Sequence, residues 1–395
     1  MMLRLALFAM TAIAVISDTM LLPYYPQLFE ARFEITSSFT VGLYLASISL
    51  AVMLAFPVWV AIAKKRDTIS VLIWTQVAAG ALSFACYASE NIASFWVFSL
   101  LMVCFKASYL LMYPYVIAKQ PVEKHSTTIG ALAVIVHFGG IVGAISGSEI
   151  VGSYGYALPY VAMALGDVLQ ASICAVLLKT MSQEAPAPAS EERQNLTKLT
   201  SHEVKSFTSL LCVMFLFYFG FYMSMPFMTV WWQSISGETM QQWTGLVYAI
   251  PGFVAVAILA RDHKWDKGKQ AWRRNEAGLA LTAIGLIIQA FPNPASIIVG
   301  RIIYGIGLYR VTTGLDALFF ERAQKHRYAS GFSFLNIARN SGVMLAALAS
   351  GLLVQQLGDG IPFLFAAFFV LATLLLYRVG LKPILAAPSS RAQPA

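Results

Sequence analysis

Long apolar stretches alternate with short polar ones along the whole chain, and twelve of the stretches are long enough to cross a bilayer as helices. They fall near residues 5–29, 37–63, 68–88, 92–118, 128–150, 156–178, 206–235, 241–261, 277–291, 295–320, 329–355 and 361–381. The first runs from Leu5 to Phe29; at about 1.5 Å of rise per residue its roughly 25 residues exceed a hydrocarbon core of about 30 Å. One acid, Asp18, interrupts it. A carboxylate in mid-membrane costs about 2.5–3.5 kcal/mol on insertion scales, so Asp18 is expected to face a wet cavity or a partner rather than lipid. Only one connection is long. Lys179 to Lys205 contains the sequence QEAPAPASEER, a polar, breaker-rich composition that reads as a flexible linker. It predicts a bundle of six spans over 1–180, a linker over 181–205 and six more spans over 206–395.

Composition agrees with a membrane protein. Of 395 residues, 58% are hydrophobic and 12% charged, and the mean hydropathy is +0.69; an average soluble domain carries about 25% charged residues. The net charge of +8 does not point to nucleic acid, because the basic residues sit in short clusters between spans. Lys64, Lys65 and Arg66; Lys119 and Lys124; Arg193, Lys198 and Lys205; the run from Arg261 to Arg274; and Arg322, Lys325 and Arg327 all follow even-numbered spans. By the positive-inside rule both termini and the linker are expected in the cytoplasm, as for a multi-pass protein of a bacterial inner membrane. Ala12-Ile13-Ala14 offers a signal-peptidase pattern, but the apolar run continues past the usual signal core, so retention is expected. Cys86, Cys104, Cys174 and Cys212 lie in apolar runs without paired spacing, which argues for packing rather than disulfides, metal or any cofactor.

The halves repeat. Pro23 recurs as Pro226, Gly42-Leu43 as Gly245-Leu246, and Lys124-His125 with Gly130 as Lys325-His326 with Gly331, at a nearly constant offset of about 200 residues, which indicates duplication of a six-helix unit in one orientation. Twelve spans in two parallel-repeat halves resemble the major facilitator superfamily. Arg301-Ile-Ile-Tyr-Gly305-Ile-Gly307 is similar to that family's pattern for the tenth helix, and Asp18 followed by Leu22-Pro23 and Pro26 is similar to its drug and proton antiporters. The loop after span 2 departs from the family's glycine-bearing motif: Ala61-Ile-Ala-Lys-Lys-Arg-Asp67 keeps only the charges. The resemblance implies an all-α membrane protein in which Lys64, Lys65, Arg66 and Asp67 take part in gating, and spans 1, 4, 7 and 10 line a central cavity.

Polar residues collect on those spans. Lys106 and Arg310 lie about 14 and 15 residues into spans 4 and 10, roughly 20 Å along each helix, and could clamp an anionic group between the halves. Arg339 in span 11 and His137 in span 5 are pseudo-equivalent and also at mid-depth. The acids are Asp18, Asp167 in span 6 and Asp316 toward the inner end of span 10. Asp18, Asp167 and His137 are candidates for proton coupling. Lys106, Arg310, Arg339, Asp316, Tyr109, Tyr113 and Tyr222 are candidates for binding substrate, the tyrosines because a phenol offers a flat apolar face and a hydrogen bond. Asp18 can also be read as a packing bridge to Lys106 or Arg339, and Arg301, nearer the outer end, as an arginine snorkelling to the interface. Glycines in spans 5 and 11 are expected to allow close helix approach, which a rocking contact between the halves would use and which packing alone also explains.

Without a nucleotide-binding pattern, transport must draw on a gradient. The expected activity is proton-coupled export, by a monomer, of a small anionic or zwitterionic molecule such as a siderophore. Organic-anion uptake and multidrug efflux are the alternatives. An intramembrane enzyme or sensor is a remote one, because His137 and the acids lack the paired spacing of catalytic groups.

Overall fold

The computed structural model describes residues 2–112, 115, 125–181, 201–262, 271–322 and 328–383, and the described parts of the twelve apolar stretches are helical apart from short turns at their ends and a break in the seventh. Span 1 is Met2–Leu21, which passes through a 3-10 turn at Leu22–Tyr24 into Tyr25–Phe33. Spans 2 and 3 are Ser38–Ala63 and Thr68–Ala88. Span 4 is Ile92–Lys106, tightening into a 3-10 turn at Ala107–Leu111, and spans 5 and 6 are His125–Tyr154 and Leu158–Met181. Span 7 is Ser201–Met223, broken before Met228–Ser236; spans 8 and 9 are Thr244–Asp262 and Ala271–Gln289. Spans 10, 11 and 12 are Pro294–Arg322, Tyr328–Leu357 and Ile361–Leu376. Ten of these are long and apolar enough to cross a membrane, while in spans 8 and 9 the apolar helix is shorter, Thr244–Ile258 and Asn275–Gln289. Of the expected linker, 182–200 lie outside the described residues and 201–205 already belong to the helix of span 7.

Local chemistry sets several boundaries. Ser37, Asp67 and Asn91 each accept a backbone N–H three residues on, closing the first turns of spans 2, 3 and 4. Pro23 and Pro226 sit in equivalent interruptions of spans 1 and 7, where the missing N–H breaks the helix. Large apolar side chains such as Leu54, Trp74, Phe84, Leu165, Phe368 and Leu375 stand exposed, as a lipid-facing surface requires.

The packing is duplicated helix by helix. Span 1 packs on 5 and 6, 3 on 4 and 6, and 2 on 4; correspondingly span 7 packs on 11 and 12, 9 on 10 and 12, and 8 on 10. The halves meet where span 2 lies on span 11 and span 5 on span 8. Each meeting centres on a glycine found in the repeat. A Cβ on Gly42 would lie 2.6 Å from the Ala347 carbonyl, and one on Gly245 would lie 2.6 Å from the Ala144 carbonyl. Gly351 and Ser148 complete the two contacts at matching positions. The glycine stripe of span 5 does something else: Gly139, Gly143 and Gly147 press on span 1 inside the first half, and Gly342 presses on span 7 inside the second. Close approach between the halves therefore rests on fewer small residues than the sequence pattern suggests.

Both contacts lie at the end opposite the linker, here the far end. Hydrogen bonds between the halves gather there too. Gln27 donates to Thr229 (3.1 Å) and Gln233 (3.0 Å), Thr229 donates to the Pro23 carbonyl, and Gln355 accepts from Ser37 (3.2 Å) and the Phe39 amide (3.0 Å).

Candidate functional site

Asp18, Lys106 and Asp167 come from three different spans and converge inside the first half. Lys106 Nζ is 3.2 Å from Asp167 Oδ1 and 3.8 Å from Asp18 Oδ1. The second Asp167 oxygen accepts from Ser83 Oγ at 3.1 Å. Gly80, one turn before Ser83, makes room: a Cβ there would meet Asp167 Cβ at 3.4 Å and the Ala164 carbonyl at 3.3 Å. The two acids are held very differently. The Asp167 side chain is sealed, whereas that of Asp18 is 51% exposed. Lys106, 10% exposed, lies behind Asp18 rather than in front of it.

The second half carries a simpler arrangement. Arg339 donates to Asp316 Oδ1 and lies over the Tyr218 ring, 5.3 Å from its centroid. Here again the acid is the more open partner, 41% exposed against 15%.

Lys106 and Arg310, expected to clamp an anionic group between the halves, stand in different surroundings. Lys106 is engaged within its own half, and Arg310 Cβ packs toward Gly278 of span 9, with no acid on Arg310 among the described residues. Arg301 does not snorkel: it is 1% exposed, donates to the Tyr248 carbonyl and lies against the Tyr248 and Tyr304 rings. Tyr109 occupies the 3-10 turn after Lys106, within electrostatic reach of Asp18. Tyr222 packs against the buried cores on both sides of the interface between the halves. His137 is part of the span 5 helix, but its side chain and the whole of Tyr113 lie outside the described residues. In the loop after span 2, Asp67 caps span 3 through Ser70, while Lys64, Lys65 and Arg66 make no ion pair among the described residues.

The sequence reading did not single out Ser83, Gln27, Thr229, Gln233 or Gln355. Ser83 had a signal available, since Gln76, Gly80 and Ser83 put polar and small residues on one helical face of an otherwise apolar span. The far-end residues had none, because their partners are about 200 or more residues away in sequence.

Two six-helix units around a shared interface, with ionisable residues held at mid-depth, define a multi-pass integral membrane protein of the transporter type. The family model described as Major Facilitator Superfamily matches residues 7–270. The chain belongs to that superfamily. A search of curated protein sequences gave no match. Among solved structures, the chain is similar to a bacterial homologue of the human lysosomal transporter Spinster in an inward-facing, occupied conformation, with 14% identity, 98% of each chain covered and a TM-score of 0.79. It is also similar to the POT family transporter PepTSo, with 10% identity, 98% of this chain and 99% of that one covered and a TM-score of 0.77. The human organic anion transporter MFSD10 aligns with 14% identity over 95% of this chain and 98% of its own, at a TM-score of 0.73. At such identities these likenesses concern the fold.

Proposed function

We propose that the chain is a proton-coupled transporter working by alternating access, in which proton and substrate compete for Asp18. The observation that carries this reading is the unequal hold on two acids. One ammonium offsets one carboxylate, and Asp167, dry and hydrogen-bonded by Ser83, has the closer claim on Lys106. Asp18 is left open to the centre, to be neutralised by a proton or by a cationic group of the substrate. The two cannot occupy one carboxylate together, so an amine-bearing substrate exchanges against a proton, which is antiport. An anion would instead enter alongside the proton, which is symport.

The exposed side chains at the centre are acids, with their cations tucked behind them. This shifts the expectation from an anionic toward a zwitterionic or amine-bearing small molecule. The linker and both termini are assigned to the cytoplasm by the basic clusters, so the sealed far end faces outward and substrate is loaded from the cytoplasm and exported as protons enter.

The test is Asp18→Asn in proteoliposomes under an imposed proton gradient, with substrate flux and internal pH followed together. The expected result is a loss of gradient-driven flux of a hundredfold or more, with the melting temperature of the purified variant close to that of the original chain. Gradient-driven flux that survives in the variant overturns the assignment.

A further inference from the structure

We propose that a cavity at the far end of the second half, with Asp359 in its wall, holds the ammonium of an amine-headed phospholipid from the surrounding leaflet. This site is independent of the transport mechanism above, since its ligand is the membrane itself. Trp231, Ala290, Leu357, Asp359 and Leu364 line an open cavity of about 300 Å³ among spans 7, 9, 11 and 12, a size at the small end of ligand sites. The turn from span 11 to span 12 builds one wall. Gly358 takes a left-handed φ of 99°, which glycine adopts without strain. A Cβ on Gly360 would lie 3.1 and 3.2 Å from two carbons of the Trp231 ring, so the turn settles on the indole only because no side chain is there. Trp231 is itself fixed by its indole N–H, which donates to the Gln289 carbonyl at 2.9 Å.

Asp359 is the one charged residue of the lining. It is half-buried, and its carboxylate takes no ion pair or hydrogen bond among the described residues. Burial with no cation beside it pushes the carboxyl above the usual carboxylate range, and a cationic partner would relieve that cost. The place of the cavity says where the cation comes from. The turn joins the ends of two spans, at the depth of lipid headgroups, and Leu357 and Leu364 stand exposed beside it. An acyl chain can lie along these leucines while its headgroup folds over the rim. Ethanolamine offers a carboxylate three N–H donors in a charge-assisted bond, the trimethylated amine of choline offers none, and a glycerol headgroup carries no cation. Trp231 stands between Thr229 and Gln233, and Asp359 lies just beyond Gln355, so a filled cavity would brace the two pieces of the second half that carry the far-end hydrogen bonds.

An acid that only complements the start of span 12 predicts indifference to the lipid headgroup. The test is native mass spectrometry of the purified full chain in detergent, titrated with phosphatidylethanolamine, phosphatidylcholine and phosphatidylglycerol of identical acyl chains. The expected result is at least fivefold tighter binding of phosphatidylethanolamine than of either other lipid. In Asp359→Asn that preference should shrink to twofold or less, with phosphatidylcholine binding and the lipid-free melting temperature unchanged. Asp359→Ser, equally suited to a turn, serves if the asparagine variant does not fold. Phosphoethanolamine, the same headgroup without acyl chains, should leave the bound lipid in place even in large excess. No headgroup preference in the original chain, a preference that persists without the Asp359 carboxylate, or displacement of the lipid by phosphoethanolamine overturns the proposal, the last by marking a site for soluble amines.

Discussion

The two halves share a scaffold and differ in chemistry. Their helix pairings match one for one, and the glycine contacts that join them fall at equivalent positions. Their charged centres do not match. The first half holds two acids around one lysine, with one acid sealed and the other open. The second holds a matched Arg339–Asp316 pair and, apart from it, a buried arginine without an acid among the described residues. Backbone packing after duplication is constrained everywhere, since a helix cannot shift without disturbing its neighbours, whereas a side chain can change its chemistry alone. The asymmetry places the unequal hold on two acids in the first half alone.

Several substitutions would break or sharpen this contrast. The largest effect is expected for Lys106→Met, which leaves two carboxylates around one another without their cation; breaking such a buried arrangement costs about 3–5 kcal/mol. Melting temperature should fall sharply, and Asp167→Asn added to the same chain should restore much of it, because it removes the sealed charge that Lys106 had balanced. No restoration would mean that the lysine matters for its shape alone.

Next are Gly42→Ala and Gly245→Ala. Each new Cβ would crowd a carbonyl of the opposite half, and overpacking of this kind costs about 1–3 kcal/mol, charged here against the state with the far end closed. Both variants should lengthen distances between spin labels on the far-end loops by similar amounts, since their surroundings are equivalent. A shift in one variant and none in the other would show that the interfaces are not energetically matched.

The smallest effect should come from Gln27→Ala. It removes two neutral hydrogen bonds between the halves, each with a net value of about 1 kcal/mol. The same labels should report a shift in the same direction, smaller than that of either glycine variant.

The fold was legible because lipid imposes a length and an apolar composition on every span, and because duplicated Pro and Gly positions keep their offset. Asp18 and Asp167 were legible as anomalies in apolar helices. That Lys106 joins them was not, since their meeting depends on the crossing of spans 1, 4 and 6. Pattern counting did not give the directions of the cations. Arg310 has its Cβ beside Gly278 of span 9, and Arg301, taken for an interfacial residue from its depth, is turned inward to the carbonyl of Tyr248. Depth along a helix can be counted from sequence; the direction a long side chain takes around it depends on its neighbours.

The seal at the far end joins Gln27, Thr229, Gln233, Ser37 and Gln355 through neutral groups, beside glycines. Unbuckling it puts no bare ion into a dry interface, so the latch itself should be indifferent to acidity. Under the function proposed above, any response to protons arises in the middle of the molecule, and whatever sits there, rather than the chemistry of the door, decides when the door swings.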